Sequence, residues 1–304
     1  MYQLGRKITM KEELYIVLIS IIFILSASII QNTDALFISG DSLYNDILYY
    51  AESNDVIPID ARCDKVWYKV PGINGKIVDI EKSQSNMDVF DESKIIYKLI
   101  EQEINIYDLT CSPIYRGNEE SDSITLIINV AWGEEFVIRM LDILDSYDTK
   151  ANFFFEGKFA DNNKELVFEV YARGHVIGNH SYSHPDMSNL TTNEVSLELS
   201  RTNNILSGII FEEISYFGPP SGSYNDLVLN SAKKLNLETI MWSVDTIDWQ
   251  KPSKDVIVDR VKRKLHPGAI ILMHPTENTC LALPEIIGTI KKNYQIETLD
   301  DFLT

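Results

Sequence analysis

Cysteine is scarce in this chain: its 304 residues include only Cys63, Cys111 and Cys280. An odd and scattered set of this kind is not a disulfide framework. No two of the three form a CxxC pair, so the sequence does not support a structural zinc site built on cysteine. A Cys63–Cys111 bridge is compatible with an oxidising compartment, but the sequence alone leaves that pairing open.

Basic residues are outnumbered, with 27 Lys and Arg against 45 Asp and Glu, which gives a net charge of −18. An acidic surface disfavours binding to a phosphate backbone, so we expect no nucleic-acid partner. The hydrophobic fraction of 45% is that of a globular protein with a sizeable core. The length allows one large domain with a smaller one beside it, or a single barrel with an extension.

Residues 14–31 contain no charged side chain and are mostly Ile, Leu, Val and Phe. A run of this length crosses a bilayer core as a helix. Basic residues precede it and Asp34 follows it, which predicts a cytoplasmic segment over residues 1–13 and the rest of the chain outside the cell membrane. The alternatives are a cleaved signal peptide and a buried helix. We favour an uncleaved single-pass anchor because no A-x-A site follows and the run is apolar on all sides.

The pattern predicts a small α+β domain and linker over residues 35–118, and a second domain over residues 122–304. In the first we expect helices at 42–50 and 92–101, a hairpin of strands 65–69 and 76–80, and a polar linker at 113–122. From residue 123 onward, apolar strand-like runs alternate with amphipathic helices. Repeated strand–helix units predict a parallel sheet, open or closed as a barrel.

Two of the five histidines, His180 and His184, stand four residues apart. Imidazole is the commonest side-chain ligand of zinc, and this spacing places both rings on one side of a turn. Pro185 and Gly178 indicate that the turn is short and lies in a loop. Ser181 is expected to orient a ring nitrogen through a hydrogen bond. A metal site needs a further ligand or an open position, so a chance pair in a polar loop is the alternative.

Other residues with chemically active side chains also fall where predicted strands end. They include Asp245, Asp248, Trp249 and His274. The carboxyl ends of barrel strands form the face on which active sites are built. Independent stretches therefore point to one face of the sheet.

Four short motifs occur in the order and spacing of a known family. They are His180-Ser181-Tyr182-Ser183-His184 (family H-S/T-x-x-H), Gly218-Pro219-Pro220-Ser221-Gly222 (R-x-P-Y-G), Asp245-Thr246-Ile247-Asp248-Trp249 (D-x-x-D-W) and Leu272-Met273-His274 (L-x-H). On these residues the chain resembles the polysaccharide deacetylase family, the NodB-homology fold of carbohydrate esterase family 4. The resemblance implies an α/β fold with a deformed (β/α) barrel, preceded here by the predicted transmembrane helix and small α+β domain.

The resemblance also implies roles for individual residues. His180 and His184 would bind a divalent metal, by analogy zinc, and His274 would be the general acid, with Asp248 orienting it. The Ser221 backbone N–H would donate to the oxyanion. The substrate groove would be formed by Trp249, Leu272 and Pro220.

The chain is more narrowly similar to membrane-anchored, sporulation-associated members of spore-forming bacteria. The shared sequence segments include Val130-Ala131-Trp132-Gly133 and Met273-His274-Pro275-Thr276. That similarity implies an extracytoplasmic role on peptidoglycan or a related cell-wall or spore glycan.

Three positions depart from the family pattern. Asn129 and Val130 stand where the family has an Asp-Asp pair that supplies the base and the third metal ligand, and Gly218 stands where it has an arginine. Two hypotheses follow: a metal-dependent hydrolase of N-acetyl groups, or an inactive member that binds envelope glycan or acts as a scaffold. Glu134 and Glu135 are candidates for a replacement base, but we favour their being acids at a helix N-terminus.

Overall fold

The computed structural model describes residues 42–304. The strands are β1 (Arg62–Asp64), β2 (Tyr68–Val70), β3 (Gly75–Val78), β4 (Tyr97–Ile100), β5 (Ser123–Val130), β6 (Asn152–Phe155), β7 (Val176–Asn179), β8 (Tyr216–Phe217), β9 (Glu238–Thr239), β10 (Val244–Asp245), β11 (Ile270–Met273) and β12 (Gln295–Glu297). The α-helices are α1 (Ser42–Asn54), α2 (Ile80–Ser85), α3 (Glu134–Ser146), α4 (Gly157–Asn162), α5 (Lys164–Ala172), α6 (Thr192–Ile210), α7 (Asp226–Lys234), α8 (Lys254–Lys264), α9 (Glu277–Ile290) and α10 (Leu299–Phe302).

The main sheet is parallel and centred on β5, in the order β10-β11-β5-β6-β7-β8-β9, with β12 also paired to β5. Every residue of β5 is buried, as expected for a strand covered on both faces. The sheet curls into a half-barrel with helices packed outside it. The predicted α/β fold with a parallel sheet is therefore confirmed, in the form of a half-barrel.

The two faces of the sheet bury different clusters. The inner face brings together Ile127, Phe154, Tyr216 and Leu272 inside the curled sheet. The outer face packs against the helices through a larger apolar cluster that includes Val130. Side chains alternate between these faces along each strand, so the position of a residue in its strand decides which cluster it joins.

Residues 113–118 form part of the barrel, although we expected them to be a linker. Ile114 is fully buried in the inner cluster and forms a parallel bridge with Ile240, directly after β9. Arg116 forms an antiparallel bridge with Ala269, directly before β11. This segment thus contacts both flanks of the sheet. The segment has the polar composition of a linker. Its partners Ile240 and Ala269 are more than 100 residues away in the sequence, so no local pattern indicated that it pairs with the sheet.

The rest of the N-terminal part differs from the prediction in two places. The described residues divide into two compact units, one of residues 42–54 and 78–97 and one of residues 55–77 and 98–304. Helix α1 forms as expected and contributes Leu43 and Ile47 to the core of the first unit. The hairpin joins β1 to β2 rather than the two strands that we predicted.

The predicted helix at residues 92–101 is wrong. It is a short 3₁₀ turn at Glu92–Lys94 followed by β4, which pairs with β3. Asp91 caps the turn through the Ser93 backbone N–H. Ile95 and Ile96 are β-branched residues, which favour the extended conformation over the helix that their spacing suggested.

Cys63 and Cys111 form a disulfide bond, the pairing that the sequence left open, and Cys280 is a buried free thiol. Within residues 42–304, none of the helices has the length and apolar character needed to span a bilayer. The predicted anchor at residues 14–31 lies outside the described residues.

The position of Ile114 yields a stability prediction. Because its side chain is fully enclosed, Ile114→Ala should lower the free energy of unfolding by about 3 kcal/mol through lost burial and a residual cavity. Urea denaturation measures this. The matched control is Ile57→Ala, because the side chain of Ile57 is 69% exposed and should contribute little. Equal, small effects of the two substitutions would show that residues 113–118 are a linker after all.

Candidate functional site

His180 follows β7 at its carboxyl end and is fully buried. Its Nδ1 lies 2.6 Å from the carbonyl oxygen of Gly218. A carbonyl only accepts hydrogen bonds, so Nδ1 carries the hydrogen and Nε2 keeps a free lone pair. Burial lowers the pKa of His180 to about 3, which leaves the ring neutral near pH 7.

The His180–His184 loop is shaped by left-handed backbone rather than by a helical turn. Ser181 and His184 have φ values of 60° and 55°. The Asn179 side-chain oxygen accepts a hydrogen bond from the Ser181 backbone N–H. We predicted that Ser181 would contact a histidine ring nitrogen, but its Oγ instead accepts the backbone N–H of His184. The centroids of the His180 and His184 rings lie 5.0 Å apart. Burial also lowers the pKa of His184.

Glu198 on α6 holds the same loop and was not identified from the sequence. Its carboxylate accepts the backbone N–H groups of Tyr182 and Ser183 and the Ser183 hydroxyl, each at 2.8 Å. Arg201, one turn further along α6, stacks over the Tyr182 ring. Nothing in the sequence links Glu198 to the histidines, because the relation exists only once α6 packs beside β7.

His274 and Asp248 form the pair that the resemblance implied. His274 Nδ1 lies 2.8 Å from Asp248 Oδ1, and the His274 backbone N–H donates to Asp248 Oδ2 at 2.7 Å. The Thr279 hydroxyl donates to the same Oδ2. Asp248 is fully buried, so these bonds fix the orientation of the ring, with the Nδ1–H donating to the carboxylate. The Trp132 ring lies parallel to the His274 ring at 6.0 Å.

One cavity of about 410 Å³ collects most of the predicted site residues. Its lining includes the three histidines His180, His184 and His274, together with Asn129, Ala131, Trp132, Ser221, Trp242, Asp245, Trp249 and Leu272. Pro220 and Asp248 are the exceptions, since neither lines the cavity. Asp248 is fully buried and contacts His274, and Pro220 is buried in a 3₁₀ turn at Pro220–Gly222. The turn presents Ser221 to the cavity instead, with a left-handed φ of 54°.

The residues at the end of β5 separate onto the two faces of the sheet. Asn129 lines the cavity, and its side-chain oxygen Oδ1 is buried with no hydrogen-bond partner. Val130 is fully buried in the outer cluster and does not line the cavity. Only the first of these two neighbouring positions can therefore contact a ligand.

Gly218 faces Phe154 inside the sheet. A Cβ added to Gly218 would lie 3.0 Å from Phe154 Cδ1, and one added to Gly178 would lie 2.6 Å from the same atom. The Phe154 ring thus lies close against two glycines on neighbouring strands. The space beside Gly218 is filled by an apolar ring, and an arginine there would require that ring to move.

The donor atoms at this site do not match a firmly held catalytic metal. His180 and His184 are neutral imidazoles, and the unpartnered Asn129 oxygen is a neutral amide donor. Within residues 42–304 there is no group of three His, Cys, Asp or Glu side chains placed to hold a metal ion. Catalytic zinc sites have three protein ligands and an open position. Over residues 42–304 the histidine pair is thus kept without an anionic third ligand grouped beside it.

Glu134 and Glu135 lie in the first turn of α3, as we favoured from the sequence. Both line a neighbouring cavity rather than the one that contains the histidines. Neither is placed as a replacement base.

Comparisons with known proteins identify relatives of this chain. A family model for polysaccharide deacetylase matches residues 116–240. The chain is 42% identical to the uncharacterized protein YlxY of Bacillus subtilis, over 90% of this chain and 87% of that protein. It is 30% identical to the peptidoglycan-N-acetylmuramic acid deacetylase PdaA of Bacillus subtilis, over 70% of this chain and 80% of that protein.

Among solved structures, the chain is similar to wild-type BA3943 of Bacillus anthracis, described as a CE4 family pseudoenzyme. The TM-score is 0.81 at 38% identity, covering 90% of this chain and 96% of that one. A mutant of BA3943 described as having restored enzymatic activity matches with the same TM-score at 39% identity, covering 86% of this chain and 98% of that one.

The contact between Gly218 and Phe154 can be tested by a double-mutant cycle. Gly218→Ala should cost about 1–2 kcal/mol of unfolding free energy because its Cβ crowds the Phe154 ring. In a Phe154→Leu background the cost should fall below half of that value, as urea denaturation would measure. The control is Gly208→Ala on α6, where a Cβ meets no atom within 4 Å and should stabilise the helix by about 0.5–1 kcal/mol. Strictly additive effects at 218 and 154 would contradict the proposed crowding.

Proposed function

We propose, on the premise that this chain belongs to the polysaccharide deacetylase family of amide-bond hydrolases, that it binds N-acetylated cell-wall glycan in the histidine-lined cavity without hydrolysing it efficiently. The family assignment rests on the matched relatives and the family model. The proposal concerns the substrate class and the activity of this particular chain.

The amide of Asn129, whose buried Oδ1 has no hydrogen-bond partner, is the observation that supports this proposal most directly. Hydrolysis of an acetamide needs a group that takes a proton from water, and a neutral amide does not act as a base. Asp248 is already bonded to His274 and Thr279. Asp245, which also lines the cavity, accepts the Ile247 backbone N–H at 2.7 Å. The cavity thus offers acceptors and apolar walls but no carboxylate at the position of the family base.

The same features suit recognition of an acetamide. Asn129 Oδ1 is a buried acceptor that gains by pairing with a donor such as an acetamide N–H. Leu272 and the aromatic rings of Trp132 and Trp249 provide apolar surface for a methyl group and a sugar face. Small-molecule sites commonly combine such walls with a few convergent polar groups.

We also propose that the chain acts outside the cytoplasm, on peptidoglycan or a related spore glycan, attached through residues 14–31. The Cys63–Cys111 disulfide supports an oxidising compartment. The likeness to PdaA of Bacillus subtilis, a peptidoglycan deacetylase by name, supports the substrate class.

A second candidate is metal-dependent deacetylation. The observation in its favour is that the His274–Asp248 pair is intact and that His180 and His184 remain neutral and adjacent. This candidate requires a metal bound without an anionic protein ligand, which the donor set does not favour.

Restoring the carboxylate separates the two candidates. With zinc added, the natural chain should bind N-acetylglucosamine oligomers by calorimetry yet release acetate at the background rate. Asn129→Asp should raise acetate release by about 100-fold, the low end for general base catalysis, because the family's arginine is still missing at Gly218. Asn230→Asp, an exposed position on α7, is the charge-matched control and should change nothing.

A natural chain that released acetate as fast as its Asn129→Asp variant would establish the second candidate. The first candidate would be rejected if the natural chain bound N-acetylated oligomers no more tightly than its Trp249→Ala variant, or did not bind them at all.

A further inference from the structure

A second cavity, of about 810 Å³, adjoins the histidine-lined cavity. The two share Trp132 and Trp249 in their linings, so these rings stand between them. The remaining lining comes from the start of α3, the start of α9 and Lys251. A polymer seated in the first cavity would continue past these tryptophans into the second.

Both shared tryptophans expose a large part of their surface, 42% for Trp132 and 53% for Trp249. Exposed indole rings beside a groove offer flat apolar surface, on which the C–H face of a pyranose packs. Trp132 is held in place by its parallel contact with the His274 ring. The second cavity is therefore walled by aromatic rings suited to a sugar.

The charge of the second cavity differs from that of the first. Its lining holds Glu134, Glu135 and Glu277 against a single cation, Lys251. Within residues 42–304 none of these three carboxylates takes part in a salt bridge. An occupant with a positive charge would find both carboxylates and indole faces, each of which attracts a cation.

We propose that the second cavity is a subsite for a sugar unit that carries a free, protonated amine, next to the unit whose acetamide occupies the first cavity. This inference rests on the proposed glycan binding and adds to it. The chain would then recognise glycan that is already partly deacetylated. The reaction that supplies such a ligand must be an amide hydrolysis acting earlier on the same polymer.

Calorimetry on the full chain with two defined probes tests the proposal. One probe is a fully N-acetylated glucosamine tetramer, and the other is the same tetramer with one free amine. We expect the amine-bearing tetramer to bind about tenfold more tightly near neutral pH. The preference should disappear at a pH that deprotonates the amine.

The double variant Glu135→Gln/Glu277→Gln should remove most of this preference, since each exposed carboxylate contributes about two- to fivefold. The matched control is Glu165→Gln, an exposed acid in the first turn of α5 away from both cavities, which should keep the preference. Thermal unfolding of each variant verifies the fold.

Three outcomes would overturn the inference. Equal affinity for the two tetramers would do so while leaving the proposed glycan binding intact. A preference that survives in the double variant would also do so. The third outcome is that trilysine displaces the amine-bearing tetramer, that the double variant loses its affinity for trilysine, and that the chain shows no preference between the tetramers. This result would assign the cavity to a peptide amine. Binding of neither tetramer would reject the proposed function itself.

Discussion

The alternation of side chains along β5 is the constraint on which the site depends. Successive residues of an extended strand point to opposite faces, so Asn129 enters the cavity while Val130 joins the cluster under the helices. The register with β6 places Asn129 beside Phe154, which fills the inside of the sheet beneath the cavity.

The cavity keeps its shape through bonds that involve no metal. His180 is held by the Gly218 carbonyl, and His274 is held by Asp248. The loop between His180 and His184 is held by Glu198. Because the rings of His180 and His274 each have a protein partner at Nδ1, their orientation does not depend on a ligand at Nε2. The groove can therefore keep its shape without the Asp-Asp pair of the family pattern.

Local signals in the sequence predicted the barrel well and the smaller elements poorly. The apolar run of β5 and the capping box that begins α6 at Thr191 and Glu194 are visible in short windows. The pairing of Ile114 and the role of Glu198 depend on contacts across many residues, which no local pattern encodes. Motif spacing located the histidines and Asp248, but it could not show that Pro220 turns away from the cavity while Ser221 faces it.

The three departures from the family pattern are physically coupled. A carboxylate at position 129 would be buried beside neutral imidazoles, and without a metal or an arginine it would have no cation to balance it. An arginine at position 218 without that carboxylate would be a buried charge lacking its partner, which costs several kcal/mol. Asn129, Val130 and Gly218 together remove charges of both signs from these three positions, and the apolar ring of Phe154 lies beside Gly218. This change in local charge is the physical basis of the proposal that the cavity binds an uncharged acetamide without hydrolysing it efficiently.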